Sequence, residues 1–283
     1  MSTFETVCGA IGTDFPTEYE IPRERTGTIK DQKFDDCVSK VISSIAEGVY
    51  GEEMSDGFTY GLFRKDDSEA PGMIVSVALD KWVEIGTLPK KFFDIEDEMP
   101  KIKEIVKKFP ELYKYAAPYK LKGYININYN KTKKDLAIKT ALTKFKHGLV
   151  AVSNKGFSGG GHCIQLTGWN DNNDTYKYKN SRGESYGDKG FHEKPKSQFD
   201  AVYLPIFDDI ALPFNDVSKD DWFFNDVSDI YSSGLMNGRS STEFAPNHTP
   251  TRAELAAFGN RLLKEFDKRN AILNKVLEEK YGD

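Results

Sequence analysis

The 283-residue chain is 39% hydrophobic with a formal net charge of -5, enough apolar material for one good core and a small satellite, and no electrostatic case for nucleic acid. The basic runs Lys101 to Lys108 and Lys131 to Lys134 have acidic or apolar residues within or beside them and read as solvated faces. No apolar run approaches the ~18 residues of a membrane helix, and Met1 to Cys8 lacks the basic-then-apolar order of a signal peptide, so synthesis in a reducing cytoplasm is expected. Cys8, Cys37 and Cys163 are widely spaced with no C-x-x-C, which argues against a disulfide framework and a structural zinc site. No cofactor or metal is expected.

In chain order, the residues up to about Lys30 read as an extended arm, with Pro16, Pro22, Gly12 and Gly27 breaking any periodicity. Apolar residues at 38, 41, 42, 45, 46 and 49 predict a helix over 36–49. A second helix is expected over 74–85, ended by Gly86, and a third over 100–109. Tyr124 to Tyr129 alternates as a half-buried strand, and 134–147 is again helical with Gly148 as its stop. Strands are then expected over 149–153, 162–169, 175–180 and 201–206. A helical first half followed by a sheet-rich second half implies an α+β domain with a crevice between its parts. After Pro205 the composition changes, and helices over 227–236 and 252–266 predict a small helical module. The expected division is residues 1–208 and 209–283.

Cys37 opens the first of these helices, where the dipole end and unpaired N–H groups favour a thiolate. A cysteine nucleophile needs a nearby base with a fixed orientation. Of four histidines, His162 begins a strand directly after Gly159-Gly160-Gly161, an edge that peptide backbone can approach. His147, His192 and His248 are explained by helix-end, turn and module positions. Asn180 reads either as a strand-ending turn residue or as an amide oxygen accepting an imidazole N–H. Gln32 is a candidate donor to an oxyanion, alongside the Cys37 backbone N–H.

The order Gln32, Cys37, His162, Asn180 resembles the papain-like (C1) cysteine peptidases. The resemblance spans roughly residues 15 to 207 and is carried by Asp31-Gln32, by Gly160 through Trp169, and by Tyr178 through Gly183 continuing into Tyr186-Gly187-Asp188-Lys189-Gly190-Phe191. It implies a two-subdomain fold, helical on one side and β-barrel-like on the other. It also implies Cys37 as nucleophile, His162 as base, Asn180 as its orienter and Gln32 as oxyanion donor. The stretch Lys33-Phe34-Asp35-Asp36 is one residue shorter than the usual family spacing, and its two carboxylates oppose thiolate formation. Arg182 stands where the family usually has tryptophan. Residues Met54 to Gly61 and Pro71 to Met73 resemble the substrate-lining loop and next helix of bacterial and phage members, so Gly160, Gly161, Phe58, Tyr60 and Met73 are candidate substrate contacts. Phe58, Tyr60 and Met73 read equally as core.

Phe214 to Val217, Asp221-Trp222-Phe223, Gly234 to Gly238, Phe244 to Asn247 and Thr251 to Leu255 resemble one surface-layer homology (SLH) module. Thr251 with Glu254 forms an expected capping box, and Trp222 and Phe244 are expected apolar anchors. The family binds cell-wall polysaccharide of Gram-positive bacteria, which makes Arg252 and Trp222 candidate wall or assembly contacts. A single copy also points to self-association. The expected function is a cysteine endopeptidase acting on a polypeptide. The alternatives are a peptidoglycan cross-bridge endopeptidase or amidase, and a virion or cell-surface structural protein on a peptidase scaffold.

Overall fold

The computed structural model describes residues 4–33, 35–64, 72–93, 104, 108, 110–127, 129–153, 161–207, 212–218, 220–232 and 235–281. After a short helix α1 (Phe4–Cys8) and strand β1 (Glu18–Glu20), the chain enters α2 (Cys37–Tyr50). Val38, Val41, Ile42, Ile45 and Ala46 form one buried stripe on α2 at helical spacing. Gly51, at φ 71°, ends the helix in the left-handed conformation that glycine adopts without strain, and its N–H closes on the Glu47 carbonyl.

Helix α3 (Asp56–Leu62) lies within the stretch compared above with a substrate-lining loop. Ser55 caps it by accepting a hydrogen bond from the Phe58 N–H at 3.1 Å. Gly57 and Gly61 lower its intrinsic propensity, and burial of Phe58, Thr59 and Tyr60 overrides that. Helix α4 (Val75–Glu84) follows one residue inside its expected bounds, and its Trp82 is wholly buried with Nε1 donating to the Tyr119 carbonyl at 3.0 Å. The helix expected over 100–109 lies for the most part outside the described residues. Helix α5 (Leu112–Ala116) completes this side.

The other side is antiparallel sheet: β2 (Leu121–Asn126), β3 (Leu149–Ser153), β4 (His162–Asn170), β5 (Thr175–Lys179), β6 (Phe191–Pro195) and β7 (Ala201–Phe207). The order is β2-β7-β3-β4-β5-β6, with β1 pairing the far end of β4. The sheet is therefore open, with β2 and β6 at its edges, and not the barrel-like closure implied by the resemblance. Strand β2 begins three residues before the expected alternation, and β6 begins at Phe191, where the resemblance of the Tyr186 to Phe191 segment implies a strand start.

The period-2 pleat sends alternate residues to two cores. Leu149, Ala151, Ile164 and Leu166 meet Ile138, Ala141 and Leu142 of helix α6 (Lys131–Phe145). Val150 and Cys163 meet Val38, Ile42, Leu79 and Trp82 of α2 and α4 on the opposite face. A third cluster joins Phe58 to Leu88, Phe93, Leu112 and Tyr115.

Helix α6 stops at Lys146, a non-glycine residue at φ 53°, and not at Gly148 as expected. His147 lies past its end, buried, with Nδ1 2.9 Å from the Gly148 carbonyl and its ring edge-on to Phe207. Burial holds this imidazole down to about 4. The neutral ring thus contributes stability that is complete above the unfolded value of ~6.5 and is lost as pH falls through about 4. His147→Gln is expected to remove roughly 2 to 3 kcal/mol of the loss in stability between pH 7 and pH 4. Urea midpoints of both proteins at the two pH values check this, and equal acid sensitivity counts against it.

The last part holds α7 (Phe224–Ser232) and α8 (Arg252–Tyr281), the charged, periodic residues after Phe266 extending the final helix. Phe214, Val217, Phe224 and Val227 form a small core with Phe244 against it. The expected capping box is present, with Thr251 N–H donating to Glu254 at 2.7 Å and Glu254 N–H to Thr251 Oγ1 at 3.2 Å. Trp222 is 88% exposed, so it is not an anchor of this core. The Tyr115 hydroxyl of α5 donates to Glu265 of α8.

Candidate active site

Helix α2 and strand β4 meet at their first residues. Cys37 Sγ accepts a hydrogen bond from the Cys163 backbone N–H at 3.4 Å, so the sulfur lies against the residue that follows His162. His162 Nε2 is 2.8 Å from Asn180 Oδ1, and both side chains are buried. An amide oxygen only accepts, so the Nε2–H tautomer is the bonded one and the basic lone pair resides on Nδ1. Asn180 is itself held: its Oδ1 also accepts from the Ser181 N–H at 2.8 Å, and its own N–H donates to the Gly190 carbonyl at 2.9 Å.

Gln32 is brought to the same place. Its N–H donates to the Ser181 carbonyl at 2.8 Å, and its Oε1 accepts from Ser181 Oγ at 2.5 Å. The backbones of Asp31 and Arg182 pair in an isolated antiparallel β-bridge beside it. With Oε1 committed to Ser181, the polarity of the amide is set and the Nε2 hydrogens are its donating side. Ser181 was not singled out in the sequence. Its role arises only because the arm and the β5–β6 turn meet.

Burial pushes the Cys37 thiol up; the Cys163 N–H opposes that, and Asp36 and Asp35 reinforce it. Burial pulls the His162 imidazole down; the Asn180 hydrogen bond opposes that, while the Arg182 and Lys194 charges add to it. Each shift favours the neutral form of its own group, the thiol of Cys37 and the imidazole of His162.

Of the candidate substrate contacts, Gly161 is exposed and Met73 is half-buried against the cluster on which Cys37 also packs. Phe58, at 0% exposure, presents no surface to a substrate and is core. Tyr60 is buried too, its hydroxyl accepting from Arg64 at 3.3 Å. Gly160 lies outside the described residues.

Several solved structures with similar folds are cysteine proteases. The chain matches digestive procathepsin L 3 of Tenebrio molitor at a TM-score of 0.55, with 15% identity, over 69% of this chain and 71% of that one. Xylellain, a cysteine protease from Xylella fastidiosa, matches at 0.53 and 15% identity, over 73% and 90%. A Carica candamarcensis cysteine protease matches at 0.52 and 14%, over 69% and 100%. The chain has the papain-like cysteine protease fold.

Behind the papain-like part, residues 213–256 match the family described as S-layer homology domain. An endoglucanase of Bacillus sp. is 37% identical over 51 residues, a stretch that is 18% of this chain and 5% of that protein. In the SLH part, Arg252 opens α8 and is exposed, as is Trp222. Asp216 ties its loops together, accepting from the Phe244 and Ala245 N–H groups at 2.9 and 2.7 Å. Among the described residues, no helix is long and apolar enough to cross a membrane and no cluster of side chains is arranged to hold a metal ion.

Proposed function

We propose that this chain is a cysteine endopeptidase, built as a papain-like domain over residues 1–208 and an SLH domain over 209–283. Cys37 sulfur attacks an amide carbonyl while its proton passes to His162 Nδ1. The developing oxyanion is met by the Cys37 N–H and Gln32 Nε2. His162 then gives its proton to the leaving amine as the C–N bond breaks, leaving a thioester, and next takes a proton from the water that hydrolyses it. Asn180 keeps the ring in the required tautomer. The observation that carries the reading is the 3.4 Å contact of Cys37 Sγ with Cys163, the neighbour of an Asn180-bound His162. Activity of the wild type and Cys37→Ala against a peptide library and against purified peptidoglycan tests it; equal, background hydrolysis of both by the two proteins would sink the idea.

A wall-peptide substrate is favoured by the S-layer homology match at 213–256, which implies surface association and a cell-wall polysaccharide partner. Exposed Arg252 and Trp222 are the proposed contacts, with a guanidinium to pair anionic groups and an indole to stack on sugar. Arg252→Ala and Trp222→Ala are each expected to lower co-sedimentation with purified Gram-positive walls by about tenfold. Unchanged sedimentation of both variants would remove these residues from the wall-binding surface.

A further inference from the structure

Beneath Cys37 lies a buried ionic cluster that the peptidase mechanism does not use. Lys40, one turn into α2, is 2% exposed. Its Nζ is 3.0 Å from Asp56 Oδ2 on α3 and 3.5 Å from Asp36 Oδ2, the residue that leads into the nucleophile. Lys30 Nζ bridges Asp56 at 3.4 Å and Glu47 at 2.6 Å. The acidic side is under-compensated: among the described residues, Asp36 Oδ1 and Asp56 Oδ1 are buried with no hydrogen-bond partner. A carboxylate in that state, adjacent to a thiol, works against a thiolate over a short, poorly screened path.

We infer that Lys40 is a positioning residue for the nucleophile: its buried ammonium, shared by Asp36 and Asp56, offsets the carboxylate charge beside Cys37 and anchors the first turn of α2. The inference rests on Cys37 being the nucleophile. Lys40 is placed for this by the i,i+4 relation to Asp36, which sets the two side chains on one face. Burial pushes the Asp36 carboxyl up to about 6, with Lys40 pulling the other way and Asp56 adding to the rise. Asp36 is therefore charged at neutral pH, where Lys40 matters. The other groups that face this corner are Asp35 on the same loop, Tyr60 of α3 with Arg64 after it, Glu47 of α2, Lys179 of β5, and Cys163 and His162 of β4.

The test is the pH profile of Cys37 alkylation by iodoacetamide in the full chain, read by peptide mass spectrometry with Cys8 and Cys163 as internal references. Asp36→Asn is expected to move the Cys37 midpoint down by about one pH unit, and Lys40→Met to move it up by about one. The double variant is expected to return close to wild type, because the two charges leave together. Lys40→Arg is expected to track wild type, whereas a side chain serving only to fill space would be matched by methionine. Asp36→Asn leaves Lys40 paired with Asp56, so it remains readable even where Lys40→Met does not fold. Coincident profiles for wild type, Asp36→Asn and Lys40→Met would overturn the role of Lys40 while leaving a fast Cys37 intact. A wild-type Cys37 no faster than Cys8 would instead overturn the nucleophile on which the inference depends.

Discussion

His162→Ala is expected to lower peptide hydrolysis by about a thousandfold or more, and Cys37→Ala to reduce it to background. The reasoning follows from the resting charges. Burial raises the Cys37 thiol and lowers the His162 imidazole, so in the proposed mechanism both rest neutral and the thiolate is made by transfer to Nδ1. Without the ring, attack must come from a thiol that burial and two neighbouring carboxylates hold protonated. Asn180→Ala keeps the base but frees its tautomer, and a loss of about 10- to 100-fold is expected, mostly in kcat. The sign of the pH dependence follows as well. With His162 lowered, the acid limb of kcat/KM falls below the ordinary imidazole range; with Cys37 raised, the alkaline limb lies above the ordinary thiol range. A narrow bell with its acid limb at or above ~6.5 and its alkaline limb at or below ~8.5 would contradict a neutral resting pair.

The second large effect concerns stability. Glu47→Leu is expected to destabilise the fold by about 3 to 5 kcal/mol. Glu47 is buried on α2, and its carboxylate accepts from Lys30 Nζ at 2.6 Å, Thr28 N–H at 2.8 Å, Thr28 Oγ1 at 2.7 Å and Met54 N–H at 3.0 Å. Removing it leaves the Met54 N–H and the Lys30 ammonium without this partner in a buried site, while the donors of exposed Thr28 can turn to water, with Asp56 the remaining partner given to Lys30 at 3.4 Å. Glu47→Gln keeps the shape and loses the charge, so a smaller loss of about 2 kcal/mol is expected. Urea unfolding of both variants at pH 7 measures this, and a change below ~1 kcal/mol for leucine would show that the cluster contributes little. Because residues 28 to 32 hang from Glu47, the loosened arm also carries Gln32 away from Ser181, and kcat is expected to fall in the folded fraction of either variant.

What could be read in advance divides along a physical line. Helix α2 and strands β3, β4, β5 and β7 were legible because their apolar periods, 3.6 or 2, are long enough to be distinctive. Helix α3 was not, since two glycines mask it and its cap depends on one serine. Strand β6 was legible only in its start at Phe191, through the resemblance, since Phe-His-Glu-Lys-Pro has no clear alternation. The closure of the sheet was likewise not legible, because whether β2 and β6 meet is a property of twist and register summed over every strand.

At the site, Cys37, His162, Asn180 and Gln32 were singled out as candidates by residue types in order and by the resemblance of their flanking segments to papain-like peptidases, and the SLH landmarks by their resemblance to that module. Covalent chemistry demands specific side chains, and chain order records them. The sequence by itself therefore pointed, through a resemblance, to the proposed reacting groups and to the kind of fold that carries them. Only the tertiary structure decided that the Cys163 N–H touches the sulfur, that Ser181 fixes Gln32, that Phe58 is core, that Trp222 stands in solvent, and that Lys40 sits beneath the nucleophile between Asp36 and Asp56. Burial and charge pairing are set by segments up to 165 residues apart in the chain, as in Arg23 with Asp188, and no local pattern encodes a neighbour that arrives from so far away.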